Sequence, residues 1–340
     1  MQITRFVSFV AAIASIALFA ASASVFAAQD SPCDRHCLVD MMKQYLAALV
    51  KHDPSAVPLS EEIKFTENTA NIPVGRGLWV TASSGPLDFQ IYAADPVAQQ
   101  VACLAMMQEN GDQNVLLGAR LKIIDGKIIE AEHLAVRNDD LSEHGLAGLQ
   151  KPRPGLVEDV PPSERIQRWE LLRIGRTYYE ALTKEDGTLA PFADECARHE
   201  NGMITAGTTP AKPKEKSAPE LDPEREKVLK ALEALGPDVR KCSGQISTAA
   251  FTYISEIRNR RVEIADVQKG LVVGFSMFSH DSTVKEYETK LPDGEVIKRP
   301  SYQGTFNLPA MHICKIRQGK IYEIEAIGFA LPYGTKSGWE

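Results

Sequence analysis

Between Asp34 and Lys51, apolar side chains recur at 38, 41, 42, 45, 46 and 49, the spacing of one helical face, and Asp53-Pro54 ends the pattern. Val57-Pro58-Leu59 and Ile63-Lys64-Phe65 suit a short extended piece. Gly75, Gly77 and Trp79 mark a tight turn with a bulky anchor behind it. From Phe89 the pattern becomes short apolar runs at 89–94, 101–107, 115–124 and 127–136, split by Asp95-Pro96, Glu109-Asn110-Gly111-Asp112 and Asp125-Gly126. Turn signals at that spacing predict an antiparallel meander. Residues 138–162 carry few large apolar groups and two proline-rich clusters, Lys151-Pro152-Arg153-Pro154-Gly155 and Pro161-Pro162, so they read as a linker. Helical spacing then returns from Ser163, a suitable N-cap, to Lys184, with Ile166, Trp169, Leu172, Tyr179 and Leu182 on its apolar face. Strands follow at 260–266, paired through Gln268-Lys269-Gly270 with 271–280, and at 310–317 and 320–331. Asp266 reads as a turn residue rather than a base. Helix first and strands after is an α+β order.

The order occurs twice. Tyr45 to Asn68 slides onto Tyr178 to Asn201 without a gap, superposing Tyr45 on Tyr178, Asp53 on Asp186, Glu67 on Glu200 and Asn68 on Asn201. Further on, Asp125 to Glu132 echoes Gln318 to Glu325 at a larger offset. Two domain-sized copies follow from this, 29–137 and 163–340, the second lengthened by insertions near 208–240 and 284–305. Each copy is expected to be an α+β unit, a helix first and antiparallel strands after it.

A length of 340 residues with 44% hydrophobic and 24% charged residues has room for two such domains. The net charge of −7 argues against a nucleic-acid partner, which demands a basic face. Arg5, the apolar run from Phe6 to about Ala20 and the small residues ending at Ala28 read as a secretory signal over 1–28. The mature chain is therefore expected in the periplasm or outside the cell, with no stable membrane span once the signal is removed. Export permits disulfides among Cys33, Cys37, Cys103, Cys196, Cys242 and Cys314. The preferred bridge is Cys196 to Cys242, at the base of the polar insertion, with Cys33 to Cys37 or Cys103 the weaker choice.

Several pieces resemble an uncharacterised family of secreted fungal and bacterial proteins: Cys33-Asp34-Arg35 to Asp53-Pro54, Phe65-Thr66-Glu67-Asn68, Gly77-Leu78-Trp79, Arg260-Arg261, and the terminal Pro332-Tyr333-Gly334 with Ser337-Gly338-Trp339. The copies of that family look like the nuclear transport factor 2-like, or SnoaL-like, superfamily. The resemblance implies a cone with an apolar pocket at its open end, and superfamily members include isomerases, dehydratases, cyclases, lyases and mere binding modules. Fold alone does not decide among them. No position here matches the catalytic aspartate of the isomerase-type members.

A metal-free, cofactor-free pocket of this kind sets a carboxylate or imidazole against an acidic C–H and stabilises the oxyanion with a donor. His199, Glu200 and Asn201 supply such groups side by side. In an extended segment His199 and Asn201 share one side and Glu200 the other. Glu200 and Asn201 recur in the first copy and suit a purely structural role at a corner, whereas His199 replaces Thr66. Arg260 is the expected anion clamp, and Arg261, His280, His312 and Tyr333 are expected to line the substrate site. Neither a zinc motif nor a phosphate-cradling loop appears in the sequence. The leading expectation is an exported, cofactor-independent lyase, isomerase or dehydratase acting on a small organic molecule in the second cone, a chain that also admits homo-oligomers. The competing one is a non-catalytic ligand-binding or interaction protein.

Overall fold

Asp34 caps helix α1 (Arg35–Val50) by accepting a hydrogen bond from the Cys37 amide, and the helix buries Leu38, Met42, Tyr45, Leu46 and Leu49, the face its periodicity predicts. The computed structural model describes residues 32–137, 140–207, 240–249, 251–290 and 296–340. The expected signal segment and most of the first insertion lie outside them.

After α1 come β1 (Leu59–Glu67), β2 (Ala70–Asn71), the short helix α2 (Leu78–Thr81), β3 (Ala82–Ser84), β4 (Gln90–Asp95), β5 (Gln100–Glu109), β6 (Gln113–Ile124) and β7 (Lys127–Val136). The sheet runs β2-β1-β7-β6-β5, with β3 and β4 both pairing β5. Short helices α3 (Glu143–Gly148) and α4 (Pro154–Val157) occupy the expected linker. The second half then has α5 (Arg168–Lys184), β8 (Phe192–Glu200), β9 (Met203–Ala206), α6 (Cys242–Ser247), β10 (Glu256–Asp266), β11 (Leu271–His280), the hairpin strands β12 (Glu286–Lys290) and β13 (Val296–Pro300), β14 (Phe306–Arg317), β15 (Lys320–Gly328) and β16 (Leu331–Pro332). Its main sheet runs β9-β8-β15-β14-β11-β10, the same order as the first.

Registers coincide as well. Met107 faces Val115 across β5 and β6 as Phe278 faces Leu308 across β11 and β14, and Ala119 faces His133 as His312 faces Ala326. Both sheets are antiparallel except for one parallel pair, β1 with β7 and β8 with β15. That pair closes each sheet over its helix, and apolar periodicity carries no sign of strand direction.

Asn68 and Asn201 hold the corner after β1 and β8. Both have positive φ, 49° and 47°, a region asparagine tolerates better than most side chains. Each amide clamps the last long strand of its sheet: Asn68 donates to Ala135 O and accepts from Ala135 N, and Asn201 does the same with Gly328.

The two sheets also pack on each other. Ile91, Leu104, Leu116 and Leu134 of the first share a buried cluster with Ile264, Val273, Met311 and Ile327 of the second. A Cβ on Gly118 would come within 2.7 Å of the Ile327 Cδ1 and 2.9 Å of the Met311 Cε, so the tips of these two side chains pack directly against the glycine. Reciprocal ion pairs lock it: Arg35 from α1 donates to the buried Asp266, and Arg168 from α5 to the buried Asp95. Asp266 also accepts from the Ala94 amide, and Asp95 from the Ala265 amide.

Two expectations need correction. Ser163 does not cap the second helix: Pro161 and Pro162 hold it in a 3₁₀ turn, Pro162–Glu164, and the helix starts only at Arg168. Trp169 is not a packing residue but is 64% exposed, while Arg168 beside it turns toward Asp95. The Cys196–Cys242 disulfide is present, with Cα atoms 5.9 Å apart, as is Cys33–Cys37, and Cys103 is a buried free thiol.

Candidate functional site

Alternation along β8 decides what the second cone offers. Ala193, Cys196 and Arg198 are buried, and Arg198 and Glu200, two residues apart, face the cone interior while His199 between them faces the opposite side. A cavity of about 180 Å³ opens there. Phe251, Ile254, Phe278, Phe306 and Leu308 give it apolar walls, and Arg198, Glu200, Tyr253 and His312 supply polar groups.

Arg198 organises these groups. Its Nε donates to Tyr178 Oη at 2.9 Å, its Nη1 to Gln245 Oε1 at 3.2 Å and Thr205 Oγ1 at 3.3 Å, and its Nη2 to the Glu200 carboxylate. The guanidinium also lies 5.1 Å from the centre of the Phe251 ring. Burial works against its charge, but Glu200 and Tyr178 hold its pKa above the usual arginine value. Burial pushes the Tyr178 phenol up to about 12 despite the pull of Arg198. A fixed cation is thus enclosed by oxygen acceptors, and the Glu200 side chain, 40% exposed, forms its open flank.

His312 reaches the same cavity from β14. It is 3% exposed, its Nδ1 lies 3.1 Å from Tyr179 Oη, and no described residue bonds its Nε2. Burial, assisted by the Arg198 charge, pushes its pKa down to about 3, so the ring is neutral at physiological pH. Tyr253 is raised by burial and by Tyr302, and stays protonated.

Of the expected site residues, Glu200, Asn201 and His312 come together at this cavity. His199 does not. It lies beneath the linker, beside Arg153 and Glu325, with its Nδ1 buried and unbonded among the described residues. Burial and Arg153 push His199 down to about 4, and burial pushes Glu325 up to about 7 against the pull of Arg153. Arg260 is exposed and bonds Thr183, at 3.4 Å, where a bulge around Asn259 (φ 51°) turns it outward. Arg261 spans the two halves, donating to both carboxylate oxygens of Glu132. His280 is buried between the carbonyls of Tyr253 and Tyr302, behind the cavity wall, and Tyr333 is 52% exposed on the tail. Among the described residues no group of three or more His, Cys, Asp or Glu side chains is placed to hold a metal ion.

Arg198, Tyr178 and Tyr253 are absent from the expected site. Arg198 was signalled: it stands where the first copy has Phe65, and it shares a strand face with Glu200. The first cone is filled at the equivalent place. Tyr45, Phe65, Trp79 and Met107 fill it, and Glu67, at the position of Glu200, accepts from the Leu78 amide and Arg137. Burial alone would raise Glu67, but His133, that amide and Arg137 hold it below the usual carboxylate range.

Residues 164–328 match the model of a family described as a domain of unknown function, DUF8021. No curated protein matches the sequence. Similar solved structures include a candidate polyketide cyclase from Silicibacter, 12% identical over 49% of this chain and 92% of that one, with a TM-score of 0.27. Another candidate polyketide cyclase, from Xanthomonas campestris, is 15% identical over 47% and 90%, also at 0.27. A protein of unknown function with a cystatin-like fold from Methylobium petroleophilum is 12% identical over 51% and 84%, again at 0.27.

Proposed function

We propose that the chain is two copies of one cone-shaped unit, exported to an oxidising compartment, and that the second copy is a cofactor-independent enzyme for a small, mostly apolar organic molecule. The observation that carries this reading is the convergence of the Arg198–Glu200 pair with the neutral His312 in an otherwise apolar cavity of about 180 Å³. That volume lies below the roughly 300–1,000 Å³ of pockets for drug-sized ligands, so the ligand is small.

Glu200 is the general base. It takes a proton from a carbon next to a carbonyl, the C–H electron pair moves to the carbonyl oxygen, and a neutral donor meets the oxyanion. With Tyr179 donating to Nδ1, the His312 proton sits on Nε2, toward the cavity, and the Tyr253 hydroxyl is the alternative donor. A ring whose pKa is near 3 is a poor base but a good fixed dipole. Arg198 positions Glu200 through the ion pair between them. Returning the proton to another carbon isomerises the ligand; passing it instead to a β-hydroxyl, which leaves as water while the enolate electron pair forms the C=C bond, dehydrates it. Asn201 serves the fold through its Gly328 clamp. The two disulfides support the exported location, being stable mainly in oxidising compartments.

The test is deuterium incorporation from D2O into a panel of small 1,3-diketones and cyclic enones, followed by NMR. The protein should accelerate exchange, and Glu200→Gln should reduce the acceleration by about 10²- to 10⁴-fold, the usual span for a general base. Saturable binding of panel members with exchange no faster than in buffer would leave the ligand-binding reading in its place.

A further inference from the structure

The first cone shows what shape the second accepts. In the first half, Trp79 on α2 packs in one buried cluster with Met107, Val115, Leu117 and Ala119, its ring edge-on to Tyr45 at 5.2 Å. By strand register those four positions are Phe278, Leu308, Ala310 and His312 of the second half, and all four line its cavity. Tyr45 has its counterpart in Tyr178, which bonds Arg198 at the cavity. The residue before the tryptophan completes the parallel: the Leu78 amide donates to Glu67 at 2.8 Å, and Glu67 stands where Glu200 stands. A Cβ on Gly77 would come within 2.6 Å of that carboxylate, so the chain presses directly against it. The first copy thus fills its own cone with an indole ring, whose Nε1 is buried without a hydrogen-bond partner among the described residues, and aims the backbone N–H beside it, that of Leu78, at the glutamate.

We propose that the second cone takes, from outside, what the first supplies from its own chain: a planar aromatic molecule of indole size that presents an N–H or O–H to Glu200. The inference rests on the reading of the second cone as the site. It narrows the ligand from small organic molecules in general to flat rings with one polar edge. Phe251, Phe278, Phe306 and His312 offer ring faces and edges for such a molecule.

The probe is 5-fluoroindole, with its N-methyl derivative as the control lacking the donor, both followed by fluorine NMR on the full chain. Saturable binding is expected, with the N-methyl compound weaker by about tenfold, the effect of one hydrogen bond to a charged acceptor. Glu200→Ala should erase that preference while retaining ring binding, and Ala310→Trp should abolish binding of both probes by filling the cavity from its wall. Circular dichroism checks that each variant is folded. Equal affinity of the two probes in the native protein, or binding that survives Ala310→Trp, overturns the proposal. If neither probe binds while the native protein still catalyses Glu200-dependent deuterium exchange, the aromatic ligand class is wrong and the enzyme reading stands. Loss of that exchange activity would instead overturn the enzyme reading.

Discussion

His133 and His312 are one ring reached from two strands. Ala119 faces His133 in the first sheet and His312 faces Ala326 in the second, so each cone keeps a buried imidazole at one cross-strand pair but takes it from opposite partners. A helix tyrosine touches each ring, Tyr45 at 3.0 Å and Tyr179 at 3.1 Å. The exchange hides the equivalence from any ungapped comparison of the sequences, which instead singled out His199 because it differs between copies. Alternation was legible: it set His199 and Glu200 on opposite sides of the strand, and carried one residue further back it puts Arg198 on the side of Glu200. Titration gives the test at this scale. The folded value of His312 is pushed down to about 3 by burial and then by Arg198, so the native state binds fewer protons than the unfolded chain between that pH and about 6.5. The resulting stability is complete above about 6.5 and is lost as pH falls through that window. His199 acts in the same direction down to about 4, and Glu325, raised to about 7, acts oppositely above its ordinary range. Comparison with His312→Gln isolates the one ring. On going from pH 7 to pH 4 in urea titrations, the native protein should lose on the order of 3 kcal/mol more than the variant. Parallel profiles would mean that His312 is solvated or charged.

Among the elements, those bounded by local chemistry were legible. Strands β4 to β7 follow the apolar runs and the Asp-Gly turn to within two residues, and α1 lies inside its expected span. Asp53 and Asp186 terminate their helices alike, each accepting from the amide two residues on. Parallel closure by β1 and β8, and the packing of sheet on sheet, depend on distant partners and left no periodic trace. Asp95 and Asp266 show this best. Both look like turn residues in the sequence, and Asp266 does hold its turn through the Lys269 amide, yet each also receives an arginine and an amide from the other half of the chain. Because the two locks repeat one geometry, their removal should cost similar amounts. Asp266→Ala leaves Arg35 and the Ala94 N–H without their acceptor, and Asp95→Ala does the same to Arg168 and the Ala265 N–H. Each should destabilise by about 3–5 kcal/mol, the cost of breaking a buried pair on one side. Urea midpoints at constant slope read this directly, and a loss below about 1 kcal/mol in either variant would show that water replaces the lock.

For the whole molecule, the shared cluster between the sheets has a thermodynamic consequence. A cone that packed only around its own helix would melt by itself, and two such cones on a linker would give two transitions. Here Leu104 and Leu116 of one sheet and Val273 and Met311 of the other are fully buried in the shared cluster, with the Arg35–Asp266 and Arg168–Asp95 pairs beside it. Unfolding either half strips that apolar face from its partner, at roughly 25 cal/mol for each Å² exposed, and leaves a buried aspartate without its arginine. Neither half can therefore open without greatly weakening the other. Calorimetry of the oxidised chain should show one endotherm with equal calorimetric and van't Hoff enthalpies, the criterion of a two-state transition. Two resolved endotherms would show that the faces separate before the cones melt. With a single transition, Glu200→Gln and Ala310→Trp can be compared with the native protein by one melting temperature, because damage at the second cavity must then appear in the stability of the whole chain.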